Sequence, residues 1–241
     1  MKTTISKIAV LLFLATLTTS CFVDGFNKIN GDRNVITEER SVTESFTKVR
    51  TSSGIDVYIT QGDKEEITIE ADENLHRHIK TEIENGTLKI YSKRNIWRAK
   101  ARKVHVTVKT IEGITATSGS DVYSENTLKS DTFKASTSSG ADMKLSIDAN
   151  SVTSKSTSGS DLKLLGKAEE YSASASSGSS TNSFGLHSKN VTVRVSSGAD
   201  INVYASNSID AKASSGGDID YKGNPEKVNK RKSSGGSISS Y

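Results

Sequence analysis

Six aspartates recur at one position of a short repeated motif, and their spacing is the first sign of possible binding chemistry. Each stands two residues after a glycine, as in Thr157-Ser158-Gly159-Ser160-Asp161. Stacked carboxylates could supply oxygen ligands for Ca²⁺ along one edge of the molecule. The residue types favour a simpler interpretation, in which each carboxylate accepts hydrogen bonds from backbone N–H groups of its own turn. The six residues are Asp56, Asp121, Asp142, Asp161, Asp200 and Asp218.

A basic segment around the only tryptophan is the second candidate for binding. Residues 94–103 (RNIWRAKARK) place five basic residues beside the indole ring. The segment could bind an anionic glycan, lipopolysaccharide or membrane headgroups, with the ring as a stacking platform. The alternative, which the sequence favours, is a solvated hairpin loop between strands at 88–91 and 104–108. The candidate ligand-binding residues are Trp97, Arg94, Arg98, Lys100, Arg102 and Lys103.

The same residues give little support to catalysis. A glycosidase needs one pair of carboxyl groups about 5–9.5 Å apart in a cleft. The repeated aspartates are interchangeable, whereas a catalytic pair should be singular. No third ligand accompanies His76 and His78, so the pair is expected at the surface, and one cysteine excludes a Cys-based zinc site. We therefore predict a protein that is not an enzyme and has no cofactor and no metal centre.

The elements that position these residues follow from the period of the motif. The last six intervals between the motif glycines are 18 to 21 residues long. A random Ser-rich coil would not keep such a period, which is typical of a solenoid. The glycines are Gly54, Gly119, Gly140, Gly159, Gly178, Gly198, Gly216 and Gly235.

Apolar and polar residues alternate on both sides of each glycine, which predicts half-buried strands. Each period then holds two strands with the Ser-Gly turn between them. We predict an all-β fold, a single-chain parallel β-solenoid (a right-handed β-helix) of about 19–20 residues per coil. Small inward residues would give this solenoid a thin core, in agreement with a hydrophobic content of 33%.

The motif divides the predicted domain into two parts. Residues 41–115 should form irregular N-terminal coils, and residues 116–241 the regular SGxD repeats. The segment 72–84 (DENLHRHIKTEIE) is compatible with a short helix or an irregular excursion before the Asn85-Gly86 turn. Terminal repeats of solenoids are normally atypical caps.

The N-terminus predicts export. Residues 1–20 combine two lysines with an apolar run of about ten residues, which is too short to span a bilayer. The segment resembles a lipoprotein signal, with lipidation at Cys21 and a tether over 21–40. An ordinary secretory signal cut elsewhere is the alternative. The formal charge of +4 is weak, so no nucleic-acid partner is expected.

The motifs together resemble the GIN domain family (DUF2807), described as auto-transporter adhesin head domains and common in exported proteins of Bacteroidetes. The resemblance rests on FTKV (46–49), GIDV (54–57), EIENGTLKI (82–90), residues 104–108 and the serial SGxD turns, and it covers residues 41–240. It implies a β-helix and a surface-binding role, and it supplies no catalytic residues.

We therefore expect an exported outer-membrane lipoprotein at the cell surface or the periplasmic face. Its partners would be the membrane, through the lipid anchor, and a glycan or an envelope or host protein. The expected role is adhesion or recognition. The alternatives are a structural envelope protein that binds a partner chain and a polysaccharide-active β-helix enzyme.

Overall fold

The computed structural model describes residues 27–241, which form stacked coils of parallel β-strands. The predicted signal, Cys21 and the first part of the predicted tether lie outside the described residues. Among residues 27–241, no helix is long and apolar enough to cross a membrane. The strands are β1 (Lys28–Asn30), β2 (Val35–Arg40), β3 (Lys48–Thr51), β4 (Asp56–Gln61), β5 (Glu66–Asp72), β6 (Ile79–Glu84), β7 (Thr87–Ser92), β8 (Asn95–Arg98), β9 (Arg102–Val108), β10 (Gly113–Ala116), β11 (Asp121–Thr137), β12 (Asp142–Thr157), β13 (Asp161–Ser176), β14 (Ser180–Val195), β15 (Asp200–Ala213), β16 (Asp218–Lys222), β17 (Lys227–Lys232) and β18 (Ser237–Ser240).

The regular coils confirm the predicted parallel β-solenoid. Strands β11 to β15 are 14 to 17 residues long, and each pairs in parallel with the next. The sequence predicted two strands per coil, but each coil is one long strand that runs from one Ser-Gly turn to the next. In β12 every second side chain faces inward, at odd-numbered positions up to Ala149 and at even-numbered positions from Val152 onward. This shift by one residue marks a corner, where the strand bends from one wall of the coil to the next. We call the part after a turn the post-turn wall and the part before the next turn the pre-turn wall.

The Ser-Gly turns explain why the motif recurs at a regular spacing along the chain. Ser158 and Gly159 both have positive φ, at 57° and 65°, and the motif serine and glycine of the other coils do the same. This is the backbone of a type I′ turn, which requires φ above zero at both central residues. The turns also stack, because the Gly159 N–H donates to the Ser177 carbonyl 3.2 Å away, a bond repeated between the other motif turns. Each turn therefore fixes the register of the next coil.

The core is thin and partly polar. Inward positions carry Val, Ile, Leu and Ala, mixed with buried serine and threonine. Hydroxyl pairs cross this core: Ser156 Oγ of the pre-turn wall lies 2.7 Å from Thr181 Oγ1 of the post-turn wall, and Ser154 Oγ lies 2.8 Å from the hydroxyl of Tyr171 in the next coil of its own wall. A buried hydroxyl costs stability unless it is hydrogen-bonded, and these pairs satisfy that need.

The N-terminal coils depart from chain order, as expected of a cap. Strands β3 and β4 stack on β10 and β11, and β7 and β9 stack outside them, all in parallel. Beyond these, β5 pairs antiparallel with β9, β2 with β5, and β6 with β7. The stack thus ends in antiparallel strands.

Two expectations for this region need correction. The predicted tether 21–40 contributes β1 and β2, because Ile36 and its neighbours pair with the end of β5, so the folded domain begins before residue 41. The segment 72–84 forms one 3-10 turn, Glu73–Leu75, followed by β6, because Leu75 and Ile79 bury their side chains in the core of the cap.

Candidate ligand-binding surfaces

The strand register places the six motif aspartates in one column of the post-turn wall. Asp121 pairs with Asp142, and Asp142 with Asp161, while Asp200 pairs with Asp218. Ser180 separates Asp161 from Asp200, and Asp56 immediately precedes Val57, which pairs with Val122. The predicted row, here called the Asp ladder, is therefore a real column with one rung per coil.

The ladder carboxylates repel one another. Burial, followed by the charge of Asp121, raises the pKa of Asp56 above its usual value. Burial and the charges of Asp121 and Asp161 likewise raise the pKa of Asp142, although the nearby Asp161 N–H acts in the opposite direction. Among residues 27–241, no group of three or more His, Cys, Asp or Glu side chains is arranged to hold a metal ion. The turns are joined by backbone bonds between coils, and among residues 27–241 no ladder carboxylate accepts a hydrogen bond from an N–H of its own turn, contrary to the simpler interpretation of the motif.

A short aromatic column lies beside the N-terminal end of the ladder. The ring of Tyr58 stacks between His105, at 5.0 Å between centroids, and Tyr123, at 5.5 Å. Lys103 bonds to Glu70 at 3.1 Å on the same wall. Because the rings face one another along the solenoid axis, mainly their edges remain available to a ligand.

Trp97 occupies a strand rather than a hairpin loop. It lies in β8, which pairs in parallel with β1, so that Lys28 is opposite Asn95 and Ile29 opposite Ile96. Ile96 is buried, and alternation turns Trp97 outward with 58% of its surface exposed. The Lys28 ammonium stands 4.2 Å from the indole centroid, over one face of the ring.

The five basic residues predicted to surround Trp97 go to different places. Arg94 and Arg102 line an open groove of about 480 Å³, together with Asn95 and the turns at Gly54 and Gly119. Lys103 lies on the post-turn wall beside Asp56. Arg98 pairs with Asn30 of β1. Lys100 contributes its backbone to the contact described next.

Asp72 anchors the segment that carries Trp97. Its buried carboxylate accepts hydrogen bonds from the Ala101 N–H at 2.9 Å, the Lys100 N–H at 3.0 Å and the Arg33 N–H at 3.0 Å. Burial by itself would raise the pKa of Asp72, but these donors hold the pKa below its usual value. A side chain at Gly31 would collide with this carboxylate, since its Cβ would lie 1.9 Å from Asp72 Oδ2. The segments next to β1 and β8 therefore share one anchor.

The histidine pair does not form a site. His76 is buried, contrary to the expected surface position, because its Nε2 bonds to the Ala71 and Ile36 carbonyls at 3.1 and 3.2 Å. His78 instead contacts the Arg77 guanidinium. Burial and the neighbouring cations Arg77, Arg94 and Lys80 lower the pKa of His78.

The register also assembles a basic column that sequence reasoning missed. It runs along the pre-turn wall, four residues before the motif glycines, and holds six cations and no acid in nine positions. The signal was present, because the residue four before each glycine could have been compared from coil to coil. In spatial order the column is Lys89, Arg50, Thr115, Ser136, Lys155, Ser174, Arg194, Lys212 and Arg231.

The family comparison agrees with this geometry. The family model described as "Putative auto-transporter adhesin, head GIN domain" matches residues 45–225. No curated protein matches the chain significantly.

Solved structures with the same fold cover most of the chain. A "putative adhesin" from Bacteroides fragilis is 23% identical with a TM-score of 0.82, over 88% of this chain and all of that one. A "putative adhesin" from Parabacteroides distasonis is 19% identical with a TM-score of 0.73, over 89% of this chain and all of that one. A "putative lipid binding protein" from Parabacteroides distasonis is 20% identical with a TM-score of 0.72, over 89% of this chain and 99% of that one. At these identities the likeness establishes the shared fold.

Proposed function

The chain belongs to the GIN domain family, and on that premise we propose that it is an exported, non-catalytic recognition domain that binds glycan at the cell surface. Membership of an adhesin-type family favours an exported, surface-displayed protein. In this proposal Cys21 carries the lipid that anchors the chain to the outer membrane. Cys21 precedes β1 by seven residues, so such an anchor would hold the N-terminal coils, with β1 and β8, next to the membrane.

The exposed indole of Trp97 carries the proposal. It is the only tryptophan of the chain, and a surface position for it brings no core stability. Lys28 covers one ring face, so the other can stack against the apolar face of a sugar ring. Asn95, two residues earlier on the same face of β8, lines the groove that holds Arg94 and Arg102. Their N–H groups can donate to sugar hydroxyls or carboxylates.

The depressions of the described residues support binding rather than catalysis or enclosure of a lipid. Three of them, with volumes of about 480 to 560 Å³, are open surface grooves, and none of the three is lined by a ladder aspartate. Within residues 27–241 the inward side chains of the coils form one continuous buried cluster. A ligand would therefore be held on the outside of the stack.

The test is glycan binding by purified residues 22–241, which include every described residue. An array of host and bacterial polysaccharides should give saturable binding to at least one. Because Trp97 is the single tryptophan, its fluorescence should change along the same titration curve. Trp97→Ala should weaken binding at least tenfold, since buried aromatic anchors dominate binding energies.

The matched control is Tyr241→Ala, which removes another exposed aromatic ring near the last strand, β18. It should leave both the affinity and the fluorescence response unchanged. Binding that ignores Trp97→Ala would overturn the assignment of the site. Failure to bind any glycan would overturn the glycan proposal and favour a protein partner or a structural role in the envelope.

A further inference from the structure

The pre-turn wall carries a second surface whose chemistry differs from that of the Trp97 groove. In its regular part, the basic column consists of Lys155, Ser174, Arg194, Lys212 and Arg231, one residue per coil. The four cations are exposed. Adjacent rungs are about 4.8 Å apart, so Lys155 and Arg231 are separated by four spacings, or roughly 19 Å.

Three of these cations have no acidic partner. Among residues 27–241, Lys155, Arg194 and Lys212 make no ion pair within 4.0 Å. Only Arg231 is paired, with Asp210 at 2.8 Å. Like charges stacked at this spacing repel one another and cost stability, and that cost would be relieved by an anionic ligand.

Hydroxyl groups follow the column on one side. The position two residues later is occupied by Ser176, Ser196 and Ser214, which with the cations line a shallow groove of about 320 Å³. Hydroxyls donate and accept hydrogen bonds, whereas ammonium and guanidinium groups only donate. The groove thus offers charge to carboxylate or sulfate groups and neutral hydrogen bonds to sugar hydroxyls, along one straight line.

The charge pattern is segregated and does not follow from net charge. The chain has 32 basic and 28 acidic residues, which nearly balance. The acids of the regular motif are concentrated in the Asp ladder of the post-turn wall, as in the pair Asp142 and Asp161, while the basic column occupies the pre-turn wall. A polyanion is therefore attracted to the basic column, whereas on the post-turn wall the cations Lys144 and Lys163 stand beside the ladder aspartates.

We propose that the basic column binds a linear anionic polysaccharide that lies along the solenoid axis, with its carboxylate or sulfate groups over successive coils. The spacing of the coils is comparable with the length of a sugar ring in an extended chain, so one ligand contacts several cations at once. The wall lacks exposed aromatic rings in this groove, which disfavours single-stranded nucleic acid, since that ligand is normally held by base stacking. The site is separate from the Trp97 groove and can be tested separately.

The test is calorimetric titration of residues 22–241 with polygalacturonate oligomers of defined length. Oligomers that reach across the five coils should bind more tightly than a dimer, and fully methyl-esterified chains, which are neutral, should not bind. Affinity should fall as salt is raised. The double variant Arg194→Gln/Lys212→Gln should weaken binding about threefold to tenfold, the effect of two exposed charge pairs.

The matched control is Lys144→Gln/Lys163→Gln, which removes two exposed lysines on adjacent rungs of the post-turn wall. It changes the net charge by the same amount and should leave binding unchanged. Trp97→Ala is titrated in parallel: binding lost in Trp97→Ala and kept in Arg194→Gln/Lys212→Gln would assign the oligomer to the Trp97 groove and overturn this proposal, so that failure of the two sites can be told apart. Equal losses in the two double variants, no dependence on oligomer length, or tighter binding of oligo(dT) would overturn the proposal.

Discussion

Asp72 connects the N-terminal fold to the candidate glycan site. Three backbone N–H groups converge on its buried carboxylate, two of them from Lys100 and Ala101, which follow β8. The third N–H belongs to Arg33, which follows β1. One side chain thus holds both β1 and β8, the strand pair that carries Trp97 and is called the Trp97 ribbon below. An anion is required, because three donors need several lone pairs and a neutral amide supplies one oxygen.

Replacement of Asp72 by Asn should therefore lower stability and loosen the ribbon. We expect a loss of about 2–3 kcal/mol at pH 7, since buried N–H donors would be left without partners. The lowered pKa of Asp72 makes its contribution complete above the unfolded-state pKa of about 4, and the contribution is lost as pH falls through the folded-state pKa. Thermal melts should give a lower Tm for Asp72→Asn than for the wild-type protein at pH 7, and this difference in Tm should narrow below about pH 4. A difference in Tm that stays constant with pH would contradict a charged anchor at Asp72.

At the scale of the element, the type I′ turn is the unit that sets the coil length. The motif serine and glycine are both left-handed, and the turns lie at the surface: at Gly178 a Cβ would meet no atom within 4 Å. Gly166 is different. It lies inside β13 with φ at 114°, and its Cβ would lie 1.9 Å from the Ile147 carbonyl oxygen. Gly178 is needed for its backbone conformation alone, whereas Gly166 is needed both for its positive φ and for a close approach between coils.

These two roles predict different costs for the same substitution. Gly178→Ala should destabilise by about 1–2 kcal/mol, the conformational cost of a left-handed alanine. Gly166→Ala should cost about 3 kcal/mol or more, because the strand backbone of the neighbouring coil must move. Urea titration measures both free energies of unfolding. Equal losses of unfolding free energy in Gly178→Ala and Gly166→Ala would contradict the different roles assigned to the two glycines.

At the scale of the whole molecule, the ends of the stack are protected in different ways. Antiparallel strands β2, β5 and β6 close the N-terminal end. At the other end β17 is exposed along its length, and the Lys230 ammonium stands 4.7 Å from the ring centroid of Tyr221, over the last coils. Charged residues on an edge strand discourage pairing with another chain. The charged edge at β17 therefore discourages the stack from continuing into a second chain.

A charge placed inside the stack should break it, because each coil contacts only its neighbours. Leu164, in the middle coil, is fully buried, and Leu164→Asp should cost about 4 kcal/mol or more. The outward neighbour Lys163→Asp is the control and should change stability little. Calorimetry should show the cooperative transition broadened or lost in the first variant alone. An unchanged transition would contradict the inward assignment of Leu164.

The sequence by itself determined the coil, the turn and the all-β class. Gly and Ser at a fixed period specify left-handed turns, and period-2 alternation specifies which side chains face inward; both are local properties that a linear chain displays directly. The Asp ladder could be predicted for the same reason, since it lies at a constant distance from each glycine.

Only the tertiary structure decided what depends on stacking order and on contacts far apart in sequence. The N-terminal strands stack out of chain order, so the burial of His76, the pairing of β8 with β1 and the anchor at Asp72 could not be predicted from neighbouring residues. The basic column could be predicted from the sequence only in part, because Lys89 belongs to it through the pairing of β7 with β3, and β7 is not followed by a motif turn. Local periodicity defines a coil, whereas long-range packing decides which surfaces the coils present together.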